Sequence, residues 1–238
     1  MKLDILAIAA HPDDIELCCA GTLLRHMAMG RSVGITDLTA GERGTRGSGP
    51  LRIQEARAAA DVLGIAVRDN LGLPDGFFEN NQESQLTVAR TIRKYRPEIV
   101  ITNAVRDRHP DHARGAQLVT DACFFAGLPK VETTLEGIAQ EAWRPKQIYH
   151  IIQDYRLTPD FCVDVTPYME KRMEAIKCFG SQFYDPDSDE PESPLTGKDF
   201  FELIYAIARS YGRMIGVEFA EGFNTQRQIG IPDLFQVH

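Results

Sequence analysis

What the chain lacks already narrows its class. It has no CxxC pair, and its five cysteines (Cys18, Cys19, Cys123, Cys162 and Cys178) are odd in number. Neither a disulfide framework nor a zinc ribbon is therefore indicated, and the expectation is reduced thiols packed as small hydrophobes. No apolar run approaches the ~20 residues that span a bilayer. Asp4 and Asp13 interrupt the N-terminal apolar stretch, which argues against a signal peptide. The glycine-rich segment lacks the GxxxxGK order of a phosphate-binding loop, and no GxGxxG follows the first predicted strand. Positive charge is in deficit, with 26 Lys and Arg against 34 Asp and Glu, a net −8 over 238 residues. Phosphate backbones call for the opposite balance, so nucleic acid is not the expected partner. There is no internal repeat and no linker. The expectation is a single domain spanning residues 1–238, in a reducing cytoplasm, without membrane attachment.

What is present is the ordinary make-up of a globular domain, 43% hydrophobic and 25% charged. Residues 3–10 form an apolar run with β-favouring Ile5 and Ile8 that stops at His11 and Pro12, which predicts a buried strand. From 15 to 29 the helical period takes over, with Leu17, Leu24 and Met27 near one face and Gly30 as a stop. Residues 32–38 are strand-like, and 40–50 hold four glycines and read as loop. Ile53, Ala56, Ala60 and Leu63 mark an amphipathic helix closed by Gly64. A third strand at 67–71, a helix at 85–94 and a fourth strand at 98–102 follow. Beyond these come helices at 116–126, 168–179 and 199–213 and strands at 148–153 and 161–165. The acidic, proline-bearing stretch 185–197 reads as a solvated loop or a cover. This alternation implies an α/β, Rossmann-like and mostly parallel sheet with helices on both faces. Ligands of such sheets sit beyond the carboxyl ends of the strands.

Two segments carry the chemistry: Ala10-His11-Pro12-Asp13-Asp14-Ile15-Glu16 and Arg108-His109-Pro110-Asp111-His112. Each sets imidazole and carboxylate groups at a predicted strand end. His11 and Asp14 are one helical turn apart, and His112 arrives from another strand. A catalytic metal commonly takes three protein ligands and keeps a position for water. Zinc suits such mixed nitrogen and oxygen donors, with Fe(II), Co(II) and Mn(II) as alternatives. One HxxD alone is more simply a capped helix start beside a surface histidine; two His-Pro-Asp triplets after strands of one sheet are not. Spacing leaves open which of Asp13 and Asp14 is a ligand.

With this pairing the chain resembles the LmbE-like, or PIG-L, family of zinc-dependent N-acetyl-sugar deacetylases. The glycine-rich loop from Asp37 to Gly47 and the segment Leu71-Gly72-Leu73-Pro74-Asp75-Gly76 are also similar. Ser181-Gln182-Phe183, the acidic loop after it and Phe219-Ala220-Glu221-Gly222-Phe223 look most like the bacillithiol-pathway branch, which deacetylates N-acetylglucosaminyl malate. The resemblance implies His11, Asp14 and His112 as metal ligands, Asp13 as general base and His109 as second catalytic group. It implies Asp111 as the carboxylate that orients His109 or supports the site. A protonated His109 would then donate to the developing oxyanion, kept charged beside Asp111. Cys18 and Cys19 depart from the small residues that relatives carry there. Arg52 and Arg108, near the two motifs, are candidates for gripping a malate carboxylate. The resemblance further implies a small amino-sugar substrate and a homo-oligomer. Another N-acetyl sugar or a thiol conjugate is the alternative substrate, and a nucleotide-binding module without hydrolysis is the alternative class.

Overall fold

A computed structural model describes residues 1–185 and 188–236. The chain runs β1 (Ile5–Ala9), α1 (Asp14–Cys18), α2 (Ala20–Ala28), β2 (Val33–Asp37), α3 (Gly49–Leu63), β3 (Val67–Asn70), α4 (Gln82–Tyr95), β4 (Ile99–Thr102) and α5 (Pro110–Ala126). A two-stranded hairpin, β5 (Thr134–Leu135) and β6 (Ile138–Ala139), precedes β7 (Gln147–Ile151), β8 (Phe161–Asp164), α6 (Met169–Lys177), α7 (Phe200–Ile215) and β9 (Ala220–Thr225). Seven strands form one sheet in the order β3-β2-β1-β4-β7-β9-β8. The β3, β2, β1, β4 and β7 neighbours pair parallel, while β9 runs antiparallel to both β7 and β8. The expected mostly parallel α/β sheet is what forms.

The period of two along β1 divides the core. Ile5, Ala7 and Ala9 face one cluster with residues of α2, α3 and α6, whereas Leu6 and Ile8 face another with residues of α4 and α5. Every residue of β1 is buried, as a central strand covered on both faces requires. After β1 the chain winds outward through β2 and β3, then returns to β4 on the other side of β1. The carboxyl ends of β1 and β4 therefore flank a topological switch point, where the sheet opens a crevice.

Several elements differ from expectation for local reasons. The helix expected over 15–29 is broken at Cys19, whose φ and ψ of −147° and 11° leave the helical region. The break gives α2 its own N-terminus, and Glu221 caps it by accepting from the Gly21 and Thr22 N–H groups at 3.0 and 2.7 Å. Gly21 is required there, because a Cβ would lie 2.8 Å from the Val165 Cβ. The helix expected from 116 starts at Pro110, so the second histidine motif is a helix N-terminus and not a loop. The described part of the acidic 185–197 segment is pinned by Arg46, which donates to the carbonyls of Pro191 and Glu190; residues 186–187 lie outside the described residues. Among the described residues no helix is long and apolar enough to cross a membrane.

Candidate active site

The turn after β1 positions the first motif. His11 N donates to Asp14 Oδ2 at 3.0 Å, so the carboxylate folds back over the strand end. Between them Asp13 adopts φ 122° and ψ −27°, a conformation that L-residues rarely hold. Asp13 sits at the N-cap position of α1 but its side chain makes no cap bond. It is aimed instead at Arg52, with Oδ2 3.0 Å from Nη2. Arg52 also donates to the carbonyls of Pro12 (2.7 Å) and Gly41 (3.3 Å). Gly41, at φ 63°, is the position where any Cβ would collide with that guanidinium. One purpose of the glycine-rich loop is thus steric: it lets α3 deliver an arginine under the turn that carries Asp13.

The second motif begins α5. His109 is its N-cap, with Nδ1 accepting from the Asp111 N–H at 3.2 Å, and Pro110 fits the first helical turn, where its missing N–H costs nothing. His11, Asp13, Asp14, Arg52, Arg108, His109 and His112 all line one cavity of about 490 Å³. The rings of His11 and His109 are 4.7 Å apart, and those of His109 and His112 stack at 5.0 Å.

Two histidines share one carboxylate. His112 Nε2 lies 3.2 Å from Asp14 Oδ1, and His11 Nδ1 lies 3.7 Å from Asp14 Oδ2. Their other nitrogens are tied off. His112 Nδ1 meets Asp107 Oδ2 at 2.6 Å, and His11 Nε2 meets Asp75 Oδ1 at 3.1 Å and Asp111 Oδ2 at 3.4 Å. This is the arrangement of metal-binding imidazoles, whose second nitrogen is oriented by a carboxylate. Asp14 is itself held by Asn103 Nδ2 and Gln153 Nε2, each at 2.9 Å. In each of two donor sets, His11 with His109 and His112, and His11 with Asp75 and Asp111, the ligand atoms lie within 4.8 Å of one another; Asp14 belongs to neither set and joins His11 and His112 through the contacts above. The donor chemistry and the oriented nitrogens fit a divalent cation.

The electrostatics agree. Burial lowers the proton affinity of His11, but Asp111, Asp75 and Asp14 outweigh it and hold the ring up to about 9. Burial of His112 is likewise overcome by Asp14 and Asp107, which raise it to about 10. Burial works against the Asp14 carboxylate, yet His112 and His11 hold it well below the usual range. A pocket that favours protons this strongly favours a metal cation, which displaces them. Asp13 differs from its neighbour: burial pushes it up to about 6, with Arg52 opposing.

His109 departs from the expectation of a charged donor. Burial and the adjacent His11 and His112 press its proton affinity down, and Asp111 does not offset them. Its Nδ1 accepts the backbone bond, which leaves the ring proton on Nε2 when the imidazole is neutral. Asp111 does not orient His109 through its carboxylate. That group accepts from the Gly76 N–H and the Arg114 guanidinium and faces His11, so it supports the site from behind. Arg52 also departs from its expected role: it is 4% exposed, and its Nη atoms are committed to Asp13, Pro12 and Gly41. Arg108 remains exposed at the cavity, paired with Asp154 at 2.7 Å.

Asp75, Asn103, Asp107 and Gln153 were missed as site residues. Asp75 lies in the Leu-Pro-Asp-Gly segment and Asp107 directly before the second motif, five residues from His112; Asn103 and Gln153 carry no spacing signal, because only strand pairing brings the ends of β4 and β7 beside β1. All five cysteines are free, and burial pushes the thiols of Cys18 and Cys19 well above their ordinary range.

Residues 6–123, which contain both motifs, match the family model described as PIG-L, GlcNAc-PI de-N-acetylase. The chain is 30% identical over 235 residues to the diacetylchitobiose deacetylase of Thermococcus kodakarensis, covering 92% of this chain and 81% of that protein. It is 26% identical over 196 residues to a probable N-acetyl-α-D-glucosaminyl L-malate deacetylase 2 of Bacillus anthracis, covering 75% and 81%. The conserved protein TT1542 of Thermus thermophilus superposes with a TM-score of 0.84 at 35% identity, over 97% of this chain and 98% of that one. Motifs, switch-point geometry and full-length likeness agree that the chain belongs to the PIG-L, or LmbE-like, deacetylase family.

Proposed function

We propose that the chain releases acetate from an N-acetylglucosamine-containing sugar, using a divalent ion held by His11, Asp14 and His112. The observation that carries this reading is the convergence of one nitrogen from each histidine on the Asp14 carboxylate, with both opposite nitrogens tied to other carboxylates. Zinc suits two imidazoles and one carboxylate. When bound, the ion supplies a Lewis acid that polarises the amide carbonyl and acidifies water.

The remaining steps belong to side chains. Asp13, unprotonated above about pH 6 and steadied by Arg52, takes a proton from the attacking water. His109 presents its Nε2–H to the carbonyl oxygen as negative charge develops there. When the C–N bond breaks, Asp13 returns the proton to the departing amine. The products are acetate and a free amino sugar, and the base is regenerated.

The finer proposal for the sugar is N-acetylglucosaminyl malate, supported by the Bacillus anthracis relative and by Arg108 at the cavity, where its fork suits a carboxylate. The Thermococcus relative supports a neutral disaccharide in its place. Acetate release from N-acetylglucosamine, diacetylchitobiose and N-acetylglucosaminyl malate, with the metal-loaded protein, tests both. Release from at least one is expected, and none from any of the three contradicts the reading. Arg108→Ala is expected to raise KM for the malate conjugate about tenfold, as loss of a charge-assisted bond does, and to spare N-acetylglucosamine.

A further inference from the structure

The turn after β3 sets two phenylalanines side by side and treats them oppositely. Phe78 is 1% exposed and packs in the core with residues of α4 and α5, whereas Phe77 is 69% exposed and lines the active-site cavity. α7 lines the same cavity with Leu203, Ile204 and Ile207. A single exposed hydrophobe needs no explanation by itself. The base of this one, however, is rigid. Asp75 N donates to Glu42 at 2.9 Å, Gly76 N to Asp111 at 2.8 Å, and Arg114 to the Gly76 carbonyl at 3.1 Å. The Phe77 and Phe78 N–H groups both close on the Pro74 carbonyl, and Gly76 between holds φ 74°, a turn that glycine allows. The ring itself is steadied by Arg43, whose guanidinium lies 5.0 Å from its centroid and whose N–H is tied to Asp75 at 2.7 Å. A ring placed in advance loses little further freedom when a ligand meets it.

Depth in the cavity decides which part of a substrate meets that ring. His11, Asp13 and Asp14 are buried at the floor, and Asp75 joins floor to rim, with Oδ1 3.1 Å from His11 Nε2. Phe77 follows two residues later, at most about 7 Å further along the chain, and in the open. A sugar whose acetamide reaches the floor fills the space between, so its next ring leaves past Phe77. A β-linked pyranose with equatorial substituents presents axial C–H groups on its faces. That surface is apolar and weakly positive, and it suits the negative face of an aromatic ring. Malate, an acyclic dicarboxylate, has no such face. We infer that Phe77 is the stacking platform for a second pyranose ring, beyond the one that carries the acetamide. This rests on the hydrolytic reading and, within it, favours a disaccharide over the malate conjugate.

The test is the ratio of kcat/KM for diacetylchitobiose to that for N-acetylglucosamine, measured on the metal-loaded protein. Because Phe77 is exposed, replacing it leaves the core intact. Phe77→Leu keeps apolar bulk without a π face and should lower the ratio about fivefold, the yield of a stacked aromatic contact. Phe77→Trp should keep the ratio or raise it. A ratio unchanged in Phe77→Leu overturns the platform, whether both rates hold or both fall together, and so does a ratio lost equally in Phe77→Trp. Saturation-transfer NMR with methyl β-cellobioside, which has two pyranose rings and no amide, separates this inference from the hydrolytic one. Transfer from the wild-type protein to the sugar ring protons is expected, with binding about fivefold weaker in Phe77→Leu. No transfer from the wild type, or equal transfer from Phe77→Leu, overturns the platform even where acetate is released. Transfer that depends on Phe77, without acetate release from either sugar, keeps the platform and refutes the hydrolase.

Discussion

The two adjacent aspartates show how far one backbone rotation can divide chemistry. Asp13 and Asp14 are equally buried, yet one faces Arg52 and the other faces two histidines. The sequence spacing could not separate them; the positive φ of Asp13 does, by turning its side chain away from the cap position. In the proposed mechanism Asp13 works as a base only when ionised, so kcat/KM should fall about tenfold per pH unit below about 6. Arg52 lowers the Asp13 value against burial, so removing its charge must raise it. Arg52→Gln is therefore expected to move the acid limb of the pH–rate profile upward. An acid limb that stays in place while activity falls would mean that Arg52 serves the substrate and not the base. Asn103 and Gln153 are illegible for a different reason: each is an isolated polar residue whose role exists only through partners far away in the chain. Asp75 also acts at long range, on His11, whereas Asp107 lies only five residues from its partner His112, directly before the second motif.

At the scale of elements, the strands and most helices were legible because burial imposes a period. The misses cluster where a distant residue sets the local structure. The α1–α2 break has no punctuation in the sequence; it exists because Glu221, about two hundred positions away, replaces the missing intrahelical partners of Gly21 and Thr22. β9, which carries Glu221, went unrecognised as a strand since Ala-Glu-Gly-Phe-Asn-Thr shows no clean alternation. Its antiparallel pairing with β7 and β8 is what presents that carboxylate to α2 and, at 3.3 Å, to Arg172. Glu221→Ala leaves two helix N–H groups without an acceptor and the buried Arg172 guanidinium without its carboxylate, held by the carbonyls of Glu16 and Leu17. A loss of about 3–5 kcal/mol is expected, the usual consequence of breaking a buried pair. Urea unfolding reads it as a lower midpoint at unchanged slope; a midpoint equal to wild type would show that Arg172 and α2 find other partners.

For the whole molecule, two short motifs about one hundred residues apart become one centre because β1 and β4 are neighbours at the switch point. That convergence was readable in advance, since two histidine motifs at strand ends of one sheet have few other places to go. The apolar half of the cavity was not, because it depends on how α7 packs against β8 and β9. The central claim, that His11, Asp14 and His112 hold the ion while Asp13 moves the proton, is tested most directly by metal content measured side by side in two variants. Asp13→Asn should retain one equivalent of divalent metal while turnover falls by roughly 10²–10⁴, and His112→Ala should lose the metal. Full metal in His112→Ala, or metal lost from Asp13→Asn with turnover preserved, would contradict it.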